Sequence, residues 1–442
     1  MLVQLYDFLR DGWFVAYRVV TFTGLKLLLR RLAATAPVGS SSGGKARLLY
    51  VPASCLPYHT SGYTTRTHAV IRALIKTGLE VRVLTRCGYP WDRRDSSGAP
   101  DAAKTVIDGV EYQHVAAPNN LRPLLQFVIQ ASSVIAKVAA ADRVAVIHAA
   151  SNHVNALPAL YAARRLGIPF FYEMRGLWEL TKASRFPGFD QREEFRLGLA
   201  LEGFVAQQAD RVFVISEQLA EYAQQHWGIP REKIALLPNC VDPENFVPGE
   251  IPASSDAKLV YAGSLIGYEG LDTLLEACAL LRGRGVKLRL EVVGHGEAQK
   301  ALVELAERLA LGEMVSFLGK LKPEQARAKV LEASLVCIPR KPYRVCEIIP
   351  PIKLVEALAM AKPVVVPDLP VFRDELSGGD CAWFFRANDP VSLADTLERA
   401  LKDRDVLVSM GKRAREYAEA RRNWQHYARG VSDAVHCMGK IF

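Results

Sequence analysis

The sequence predicts two α/β domains, each built on a parallel, doubly wound sheet. Short apolar strands alternate with helices from residue 46 to about residue 237, and again from 258 to about 404. Alternation of this kind is typical of βαβ units in a parallel sheet. Between the two series lies LPNCVDPENFVPGEIPASSD, whose Pro, Asn and Asp residues indicate an interdomain linker. A length of 442 residues, too great for one compact core, agrees with two domains.

The elements of the first series can be placed one by one. We predict a helix that Gly78 ends as a C-cap, and a helical tail after Arg404. The predicted strands cover residues 47–51, 80–85, 110–115, 144–149, 168–172 and 211–215. The predicted organisation is an extension and linker (1–45), a first domain (46–245), a second domain (246–404) and a tail (405–442).

The composition excludes some functional classes and favours others. With 50% hydrophobic and 23% charged residues, the chain is globular rather than disordered. The net charge of +9 comes without a long basic run that is interleaved with aromatic residues, so we predict no nucleic-acid partner. A basic protein also suits a phosphate-rich ligand or an anionic membrane surface. Eight scattered cysteines without a C-x-x-C pair favour the cytoplasm, and no group of residues has metal-ligand spacing.

Residues 1–45 have the pattern of an amphipathic helix followed by a flexible linker. Apolar residues such as Leu9, Trp13 and Tyr17 recur at three- and four-residue steps, and basic residues such as Arg10 and Arg18 interrupt them. Such a segment either lies in a membrane interface, as peripheral contact, or packs on the protein's own surface or on a partner. No apolar run approaches 18 residues and no signal peptide is evident, so we predict no membrane-spanning helix and no secretion.

The stretch CIPRKPYRVCEIIPPIKLVEALAMAKPVVVP is the most informative in the chain. It predicts a strand, a basic loop that contains Arg340, a helix that begins after a Pro-Pro pair, and a second strand. Lys353 lies in the first turn of that helix, where unpaired N–H groups and a partial positive charge favour anions. Glu356 follows on about the same face. A lysine for phosphate beside a carboxylate for sugar hydroxyls predicts a nucleotide-sugar site, although an ordinary βαβ unit with a surface Lys and Glu has the same pattern.

The segment PPIKLVEALAMAKPVVVPD resembles the signature of the retaining glycosyltransferases of family 4, often written P-x-K-x-x-E-A-x-A-x-G-x-P-V. The resemblance implies that Glu356 binds the nucleotide ribose and that Lys353 lies beside the diphosphate. Glu347 would be the first Glu of the family's pair, but eight residues separate it from Glu356 instead of the usual seven. Position 361 is Ala where Gly is usual.

This resemblance covers most of residues 46–430 and implies the fold called GT-B. That fold has two Rossmann-like domains whose parallel sheets face a central cleft, and its C-terminal helices cross back to the first domain. The family retains the anomeric configuration and needs neither a bound metal nor a cofactor. Arg340, Lys353 and the helix dipole would then offset the charge that develops on the leaving diphosphate.

Two further loops resemble loops with which the family binds the nucleotide-sugar donor, and we assign their glycines to donor binding. Gly62 lies in the loop after the first strand, and Gly294 and Gly296 lie in VVGHGE, which resembles the family's loop near the nucleotide base. That loop is not a dinucleotide fingerprint, because Gln299 replaces its third Gly. Nicotinamide binding is therefore not predicted.

The loop YAGSLIGYEG contains Gly263 and Ser264, which we also assign to donor binding. Many family members have an Arg and a Lys for the diphosphate here. This chain has Ser264 and Glu269 at those positions, which is its largest departure from the family pattern.

Candidate acceptor-side and catalytic residues follow the strands of the first domain. His148 ends a predicted strand, and His153 is a substitute for a second His that relatives carry where this chain has Ala. A lone His near an apolar strand is also commonly structural. Glu173 and Arg175, in FYEMRGLWEL, resemble a phrase of bacterial polysaccharide transferases, and we assign them to acceptor binding. The alternative for these two residues is a structural ion pair.

The resemblance implies a transferase of the hexosyltransferase type, with His148, Arg340, Glu347 and Lys353 as catalytic candidates. The substrates would be a UDP- or GDP-linked sugar and a glycan or lipid-linked oligosaccharide of bacterial surface polysaccharide. Two alternatives stay open. One is a catalytically degenerate GT-B scaffold of a polysaccharide complex, and the other is a nucleotide-sugar 2-epimerase.

Overall fold

The computed structural model describes residues 2–32, 46–93, 103–251 and 257–438, which form two compact units. Unit 1 contains the chain up to Ile215, Leu219–Pro238 and the segment from Trp424 onward. Unit 2 contains Ser216–Gln218 and Asn239–Asn423. The predicted linker of residues 36–45 lies outside the described residues, as do residues 252–256 of the predicted interdomain linker.

Unit 1 is built on an eight-stranded sheet. The strands are β1 (Arg47–Val51), β2 (Glu80–Leu84), β3 (Lys104–Ile107), β4 (Val110–Gln113), β5 (Val146–Ala150), β6 (Phe170–Met174), β7 (Arg211–Val214) and β8 (Ile234–Leu236). Their order is β3-β4-β2-β1-β5-β6-β7-β8, and every neighbouring pair is parallel except β3 and β4. The helices are α1 (Leu2–Leu32), α2 (Gly62–Lys76), α3 (Leu124–Ala141), α4 (His153–Leu166), α5 (Trp178–Ala183), α6 (Glu193–Gln208) and α7 (Glu217–Trp227). All six predicted strands are present, and β3 and β8 were not predicted.

The central strands of this sheet are hydrophobic on both faces, because helices cover both sides of a doubly wound sheet. All five residues of β5 and all five of β6 are buried. The carboxyl ends of these two strands pair in parallel register, with Ala150 opposite Glu173. Helix α2 begins after β1 with a capping box, in which Ser61 and Thr64 each satisfy the other's backbone N–H.

Unit 2 is built on a six-stranded, fully parallel sheet. Its strands are β9 (Ala257–Ala262), β10 (Leu288–Val293), β11 (Val315–Gly319), β12 (Leu335–Cys337), β13 (Val364–Pro367) and β14 (Ala382–Phe385), in the order β11-β10-β9-β12-β13-β14. The helices are α8 (Leu271–Gly283), α9 (Gln299–Arg308), α10 (Pro323–Leu331), α11 (Arg344–Ile348), α12 (Ile352–Ala359), α13 (Pro370–Glu375), α14 (Pro390–Leu401) and α15 (Arg404–Arg421). Both described units therefore have the parallel α/β architecture that the sequence predicted.

The C-terminal tail divides between the two units. Helix α15 belongs to unit 2 and packs against α12. The last helix, α16 (Trp424–Met438), belongs to unit 1, where it packs against α2 and places Trp424 under the Arg66 guanidinium at 5.1 Å. The chain thus returns to the first unit at Trp424, about 20 residues later than the predicted tail begins, because α15 has its apolar contacts in unit 2.

Helix α1 is one continuous helix that packs on α3, α4 and α6. Thr21 and Leu25 are buried, and the Tyr161 hydroxyl donates to the Leu25 carbonyl at 2.6 Å. Contrary to the sequence prediction, two helices are long and apolar enough to cross a membrane by length and composition: α1 over Arg10–Leu32, and α3. Much of α3 packs against α4 in the core of unit 1, as soluble core helices do, whereas α1 is mostly exposed.

Candidate functional site

The site in unit 2 lies at the carboxyl edge of its sheet, where parallel strands place their following loops together. The loops after β9, β10 and β12 supply Gly263, Gly294 and Arg340, and the first turn of α12 supplies Lys353. Helix α12 starts directly after Pro351, as the Pro-Pro pair predicted. Two residues after the end of this helix, Ala361 is left-handed with φ of 56°, a conformation for which Gly is the usual residue.

Three charged side chains form what we call the Glu269 cluster: Glu269, Arg340 and Lys353. Arg340 donates from Nη2 and Nε to Oε1 of Glu269, at 2.8 and 3.2 Å, and from Nη1 to the Ile349 carbonyl at 2.8 Å. Lys353 donates from Nζ to the other oxygen, Oε2 of Glu269, at 2.9 Å, and to the Tyr261 hydroxyl at 2.8 Å. Glu269 therefore bridges the two cations that the sequence assigned to the diphosphate.

The charges of this cluster follow from burial and from mutual attraction. Burial alone would raise the pKa of Glu269, but Arg340 and Lys353 outweigh burial and lower that pKa to about 2. Burial lowers the pKa of Lys353, and the Glu269 carboxylate opposes this effect. Glu269 is thus ionised, and the cluster carries one net positive charge when Lys353 is protonated.

Neighbouring backbone or side-chain atoms lie very close to three of the predicted glycines at this edge. Gly294 has φ of 146°, and a Cβ there would lie 1.8 Å from the Gly263 carbonyl oxygen. A Cβ on Gly263 would lie 2.4 Å from Lys353 Nζ, and one on Gly296 would lie 2.2 Å from the Leu265 carbonyl oxygen. The structure therefore places Gly263 beside Lys353, Gly294 against Gly263, and Gly296 against Leu265 of the same loop as Gly263.

The other residues predicted for this site lie at its margin. Glu356, on α12, is half-buried, and burial raises its pKa to about 7, with Arg327 and Lys353 opposing the rise. Glu347, on α11, pairs with Arg344 at 3.1 Å and is partly exposed. Ser264 is exposed at the position where the family has Arg. The roles of these three residues stay predictions.

In unit 1 the carboxyl end of β6 supplies a buried ion network around Glu173. Arg66, from α2, donates to Oε1 of Glu173 at 3.0 Å, and Arg175 donates to the same oxygen at 2.9 Å. Tyr50 donates to Oε2 at 2.5 Å. Burial alone would raise the pKa of Glu173, but Arg175, His148 and Arg66 hold it well below its ordinary value. Glu173 and Arg175 form the structural ion pair that the sequence left as an alternative, and their contact with an acceptor stays a prediction.

His148 lies within β5 rather than at its end, because the strand continues to Ala150. Its ring is fully buried, stacks on Tyr50 and Phe213 with centroids 4.9 and 5.5 Å away, and has Nε2 3.3 Å from Glu173. The structure therefore places His148 among core residues, and its catalytic role stays a prediction.

His153 begins α4 and joins a second buried group of titratable residues. Its Nδ1 lies 3.1 Å from Oε1 of Glu202, whose other oxygen accepts from the Tyr172 hydroxyl. Burial alone would lower the pKa of His153, but the hydrogen bond to Glu202 and the charges of Glu202 and Glu179 raise it. Burial and Glu202 together raise the pKa of the Glu179 carboxyl. The other residue predicted in this unit, Gly62, is exposed at the start of α2.

The sequence analysis missed several partners in these clusters: Glu269, Tyr261, Arg66 and Glu202. Glu269 was noticed only as a departure from the family pattern. One signal could have found it. Glu269 follows β9 and Arg340 follows β12, so two opposite charges come after two apolar strands that lie next to each other in the sheet. Across the described ranges, no three His, Cys, Asp or Glu side chains are grouped so that they could hold a metal ion.

Comparison with known proteins identifies the family of the two α/β domains. A family model described as a glycosyl transferase 4-like domain matches residues 61–240, and one described as glycosyl transferases group 1 matches residues 244–417. The chain is 28% identical over 223 residues to a putative colanic acid biosynthesis glycosyltransferase, WcaL, from Escherichia coli, covering 48% of this chain and 53% of WcaL. The chain thus spans about half the length of the curated relatives it matches.

Solved structures show a similar fold at low sequence identity. Sucrose-phosphate synthase from Thermosynechococcus elongatus superposes with a TM-score of 0.71 at 18% identity, covering 90% of this chain and all of the other. HepE from Anabaena, in a complex with UDP and glucose, gives a TM-score of 0.64 at 16% identity, covering 88% of this chain and 99% of HepE. At these identities the likeness concerns the fold alone.

Proposed function

Since this chain belongs to the glycosyltransferases of family 4 and has their GT-B fold, we propose that it transfers a sugar from a nucleotide-sugar donor to a hydroxyl of a glycan or lipid-linked acceptor. The observation that carries the proposal is the pair of cations, Arg340 and Lys353, at the carboxyl edge of the unit 2 sheet. Glu356 lies one turn after Lys353 on α12 and is half-buried, and in this proposal its carboxylate accepts hydrogen bonds from the ribose hydroxyls. The similarity to WcaL, a putative colanic acid biosynthesis glycosyltransferase, favours an acceptor that belongs to polysaccharide biosynthesis.

In this proposal the donor's diphosphate is the leaving group, and its negative charge grows as the glycosidic bond breaks. In this proposal Arg340, Lys353 and the N-terminus of α12 stabilise that charge. Glu347, His148 and His153 stay candidates for contacts with the transferred sugar or the acceptor. The acceptor hydroxyl attacks on the face from which the diphosphate departs, so that the product retains the anomeric configuration. Its proton passes to the departing phosphate oxygen, so no strong general base is needed.

Isothermal titration of the full chain with UDP and with GDP tests donor binding. We expect one of the two nucleotides, the one that carries the base of the sugar donor, to bind. Failure of both nucleotides to bind would contradict the proposal and favour the catalytically degenerate scaffold. One observation supports the scaffold: N–H groups of both Arg340 and Lys353 already donate hydrogen bonds to the Glu269 carboxylate.

We expect the transfer reaction to continue in excess EDTA. Arg340 and Lys353 would supply the positive charge that a divalent cation supplies elsewhere. Initial rates are to be compared with and without chelator, and with added Mn²⁺ as the control. A strict requirement for Mn²⁺ or Mg²⁺ would mean that the cluster does not serve the diphosphate unaided.

Donor binding should depend on pH through Glu356. Because burial raises the pKa of Glu356 to about 7, its carboxylate form, which accepts hydrogen bonds from ribose hydroxyls, becomes the major form as the pH rises through that value. The affinity for UDP should therefore increase from acidic to alkaline pH. Glu356→Gln should lose this dependence, and it should bind roughly 10-fold or more weakly at alkaline pH, because hydrogen bonds to charged groups contribute about 1.5–3 kcal/mol. A wild-type affinity that does not change with pH would contradict this role.

We also propose that α1 holds the protein peripherally on the inner face of the cytoplasmic membrane, where lipid-linked acceptors are found. Trp13, Val20 and Leu27 recur every seven residues, so they lie on one face of the helix, and they are 66%, 64% and 51% exposed. Exposed Lys26 and Arg30 accompany this stripe. The arrangement suits an interfacial helix on anionic lipid.

Substitutions on this stripe test the membrane proposal without disturbing the buried face of α1. Trp13→Ser combined with Val20→Ser should weaken co-sedimentation with phosphatidylglycerol vesicles in low salt by about 10-fold or more, because each buried apolar side chain contributes about 1.5–3 kcal/mol. The matched control is Val406→Ser with Val408→Ser, two exposed valines of α15. Equal binding by both double variants would contradict the proposal.

A further inference from the structure

The backbone around Glu269 packs closely against the loop that carries Arg340. Glu269 ends a short turn (Gly267–Glu269) after β9, and its backbone N–H donates to the Ile266 carbonyl at 3.0 Å. The next residue, Gly270, has φ of 73°, and a Cβ there would lie 1.9 Å from the Pro339 carbonyl oxygen. The loop after β9 thus lies directly against the residue that precedes Arg340, which fixes Glu269 and Arg340 in register.

We propose that Glu269 is a positioning residue, whose two carboxylate oxygens hold Arg340 and Lys353 side by side so that their remaining N–H groups bind the leaving diphosphate. The proposal rests on the transferase function proposed above. The proposal assigns a role to Glu269, where the chain departs most from its family. Many family members have a basic residue here that would bind the diphosphate itself, whereas the Glu269 carboxylate orients two cations that come from other segments.

The number of N–H groups that the two cations still have for hydrogen bonds supports this role. A guanidinium has five N–H donors, and the hydrogen bonds of the described residues use three of those of Arg340, two to Glu269 and one to Ile349. An ammonium has three, of which Lys353 gives one to Tyr261 and one to Glu269. Both cations therefore keep donors for a phosphate oxygen while the carboxylate fixes their orientation.

The charge balance also supports the role. Without Glu269, two cations would lie close together with little water, and each would disfavour the charged form of the other. The groups that face Lys353 are the Glu269 carboxylate, the Arg340 guanidinium, the Glu356 carboxyl and the Tyr261 hydroxyl. Burial and Arg340 lower the pKa of Lys353, while Glu269 and Glu356 raise it. Loss of the Glu269 charge should therefore make Lys353 lose its proton at lower pH.

A competing arrangement is that Glu269 blocks the site by occupying the donors that phosphate would use. The two arrangements predict opposite effects of Glu269→Gln, which keeps the shape of the side chain and removes its charge. Positioning predicts a fall in kcat of about 10-fold or more, because the oriented donors act on the developing charge, with a smaller change in KM for the donor. Blocking predicts tighter UDP binding with kcat unchanged or raised.

The test compares the full-length wild type, Glu269→Gln and the control Asp272→Asn. Among the ion pairs of the described residues, Asp272 pairs with Lys341 at 2.5 Å, whereas both cations of the cluster pair with Glu269. In each protein the pH dependence of Lys353 acetylation by acetic anhydride is followed by mass spectrometry, together with the pH profile of kcat. We expect Glu269→Gln to shift the Lys353 midpoint and the alkaline limb of kcat to lower pH, and Asp272→Asn to shift neither.

The acetylation readout does not depend on activity, so the two proposals can fail separately. An unchanged Lys353 midpoint in Glu269→Gln would overturn the positioning role even if the enzyme transfers sugar. A shifted midpoint in a protein that binds no nucleotide would overturn the proposed function instead. If Glu269→Gln does not fold, Glu269→Asp takes its place. Its shorter side chain cannot bridge both cations, so positioning predicts a smaller shift in the same direction, and an unchanged midpoint overturns it.

Discussion

Replacing Arg340 or Lys353 with alanine is expected to lower kcat/KM for sugar transfer by about 10- to 100-fold. Charge-assisted hydrogen bonds to phosphate contribute roughly 1.5–3 kcal/mol each, which corresponds to this range. The loss should fall mainly on kcat, because the contact strengthens as the leaving diphosphate gains charge. Steady-state kinetics with the preferred donor measure both parameters.

Lys341→Ala is the matched control for these two variants. Lys341 lies next to Arg340 in the chain, but its ammonium pairs with Asp272 at 2.5 Å rather than with the Glu269 cluster. It should retain nearly the full rate. Near-normal rates for Arg340→Ala and Lys353→Ala as well would mean that the diphosphate is held elsewhere and that the site is misplaced.

Glu173→Gln is expected to lower the free energy of unfolding by about 3–5 kcal/mol, the usual effect of removing one member of a buried ion pair. The substitution leaves the guanidinium groups of Arg66 and Arg175 buried without the carboxylate that neutralises them. Because the pKa of folded Glu173 is depressed, its stabilisation is present above the ordinary Glu pKa of about 4.3 and is lost as the pH falls towards the folded-state value. The difference between wild type and variant should therefore shrink in acid.

Urea unfolding of unit 1 measures this effect, and Glu111→Gln is the control. Glu111 lies on β4 of the same sheet and pairs with Lys104 at 2.9 Å on the surface. Breaking an exposed pair should cost less than about 1 kcal/mol. Equal unfolding midpoints for Glu173→Gln and Glu111→Gln at neutral pH would show that the buried network adds nothing to stability.

The parallel sheets were predictable because buried strands of a doubly wound fold are nearly continuous apolar runs. The predicted bounds of β1 are the observed ones, and the predicted bounds of β6, 168–172, lie two residues before the observed strand. The weak strand β3 was missed because it lies at the sheet edge, where two of its four residues are exposed and the apolar signal is lost. Strand β8 was missed because it has only three residues.

For the candidate site, the sequence predicts relations between residues that are close in the chain but not contacts between residues that are far apart in it. Lys353 and Glu356 lie on one short helix, so the sequence alone relates them. Glu269 is 71 residues from Arg340 and 84 from Lys353, and no local pattern shows that one carboxylate bridges both. Likewise, the ion pair of Glu173 and Arg175 was foreseen as an alternative, but the contribution of Arg66 from α2 was not, because it comes from 107 residues away.

The most direct measurement is a mass-spectrometric screen of nucleotide-sugars against the purified full-length protein, with and without glycan or lipid-linked acceptors. The account predicts that one UDP- or GDP-sugar is consumed only when acceptor is present. The products are the nucleoside diphosphate and a glycosylated acceptor in which the sugar keeps its anomeric configuration. A new nucleotide-sugar formed from the donor alone would identify an epimerase and contradict the account, and so would the absence of any reaction in a protein that binds neither UDP nor GDP.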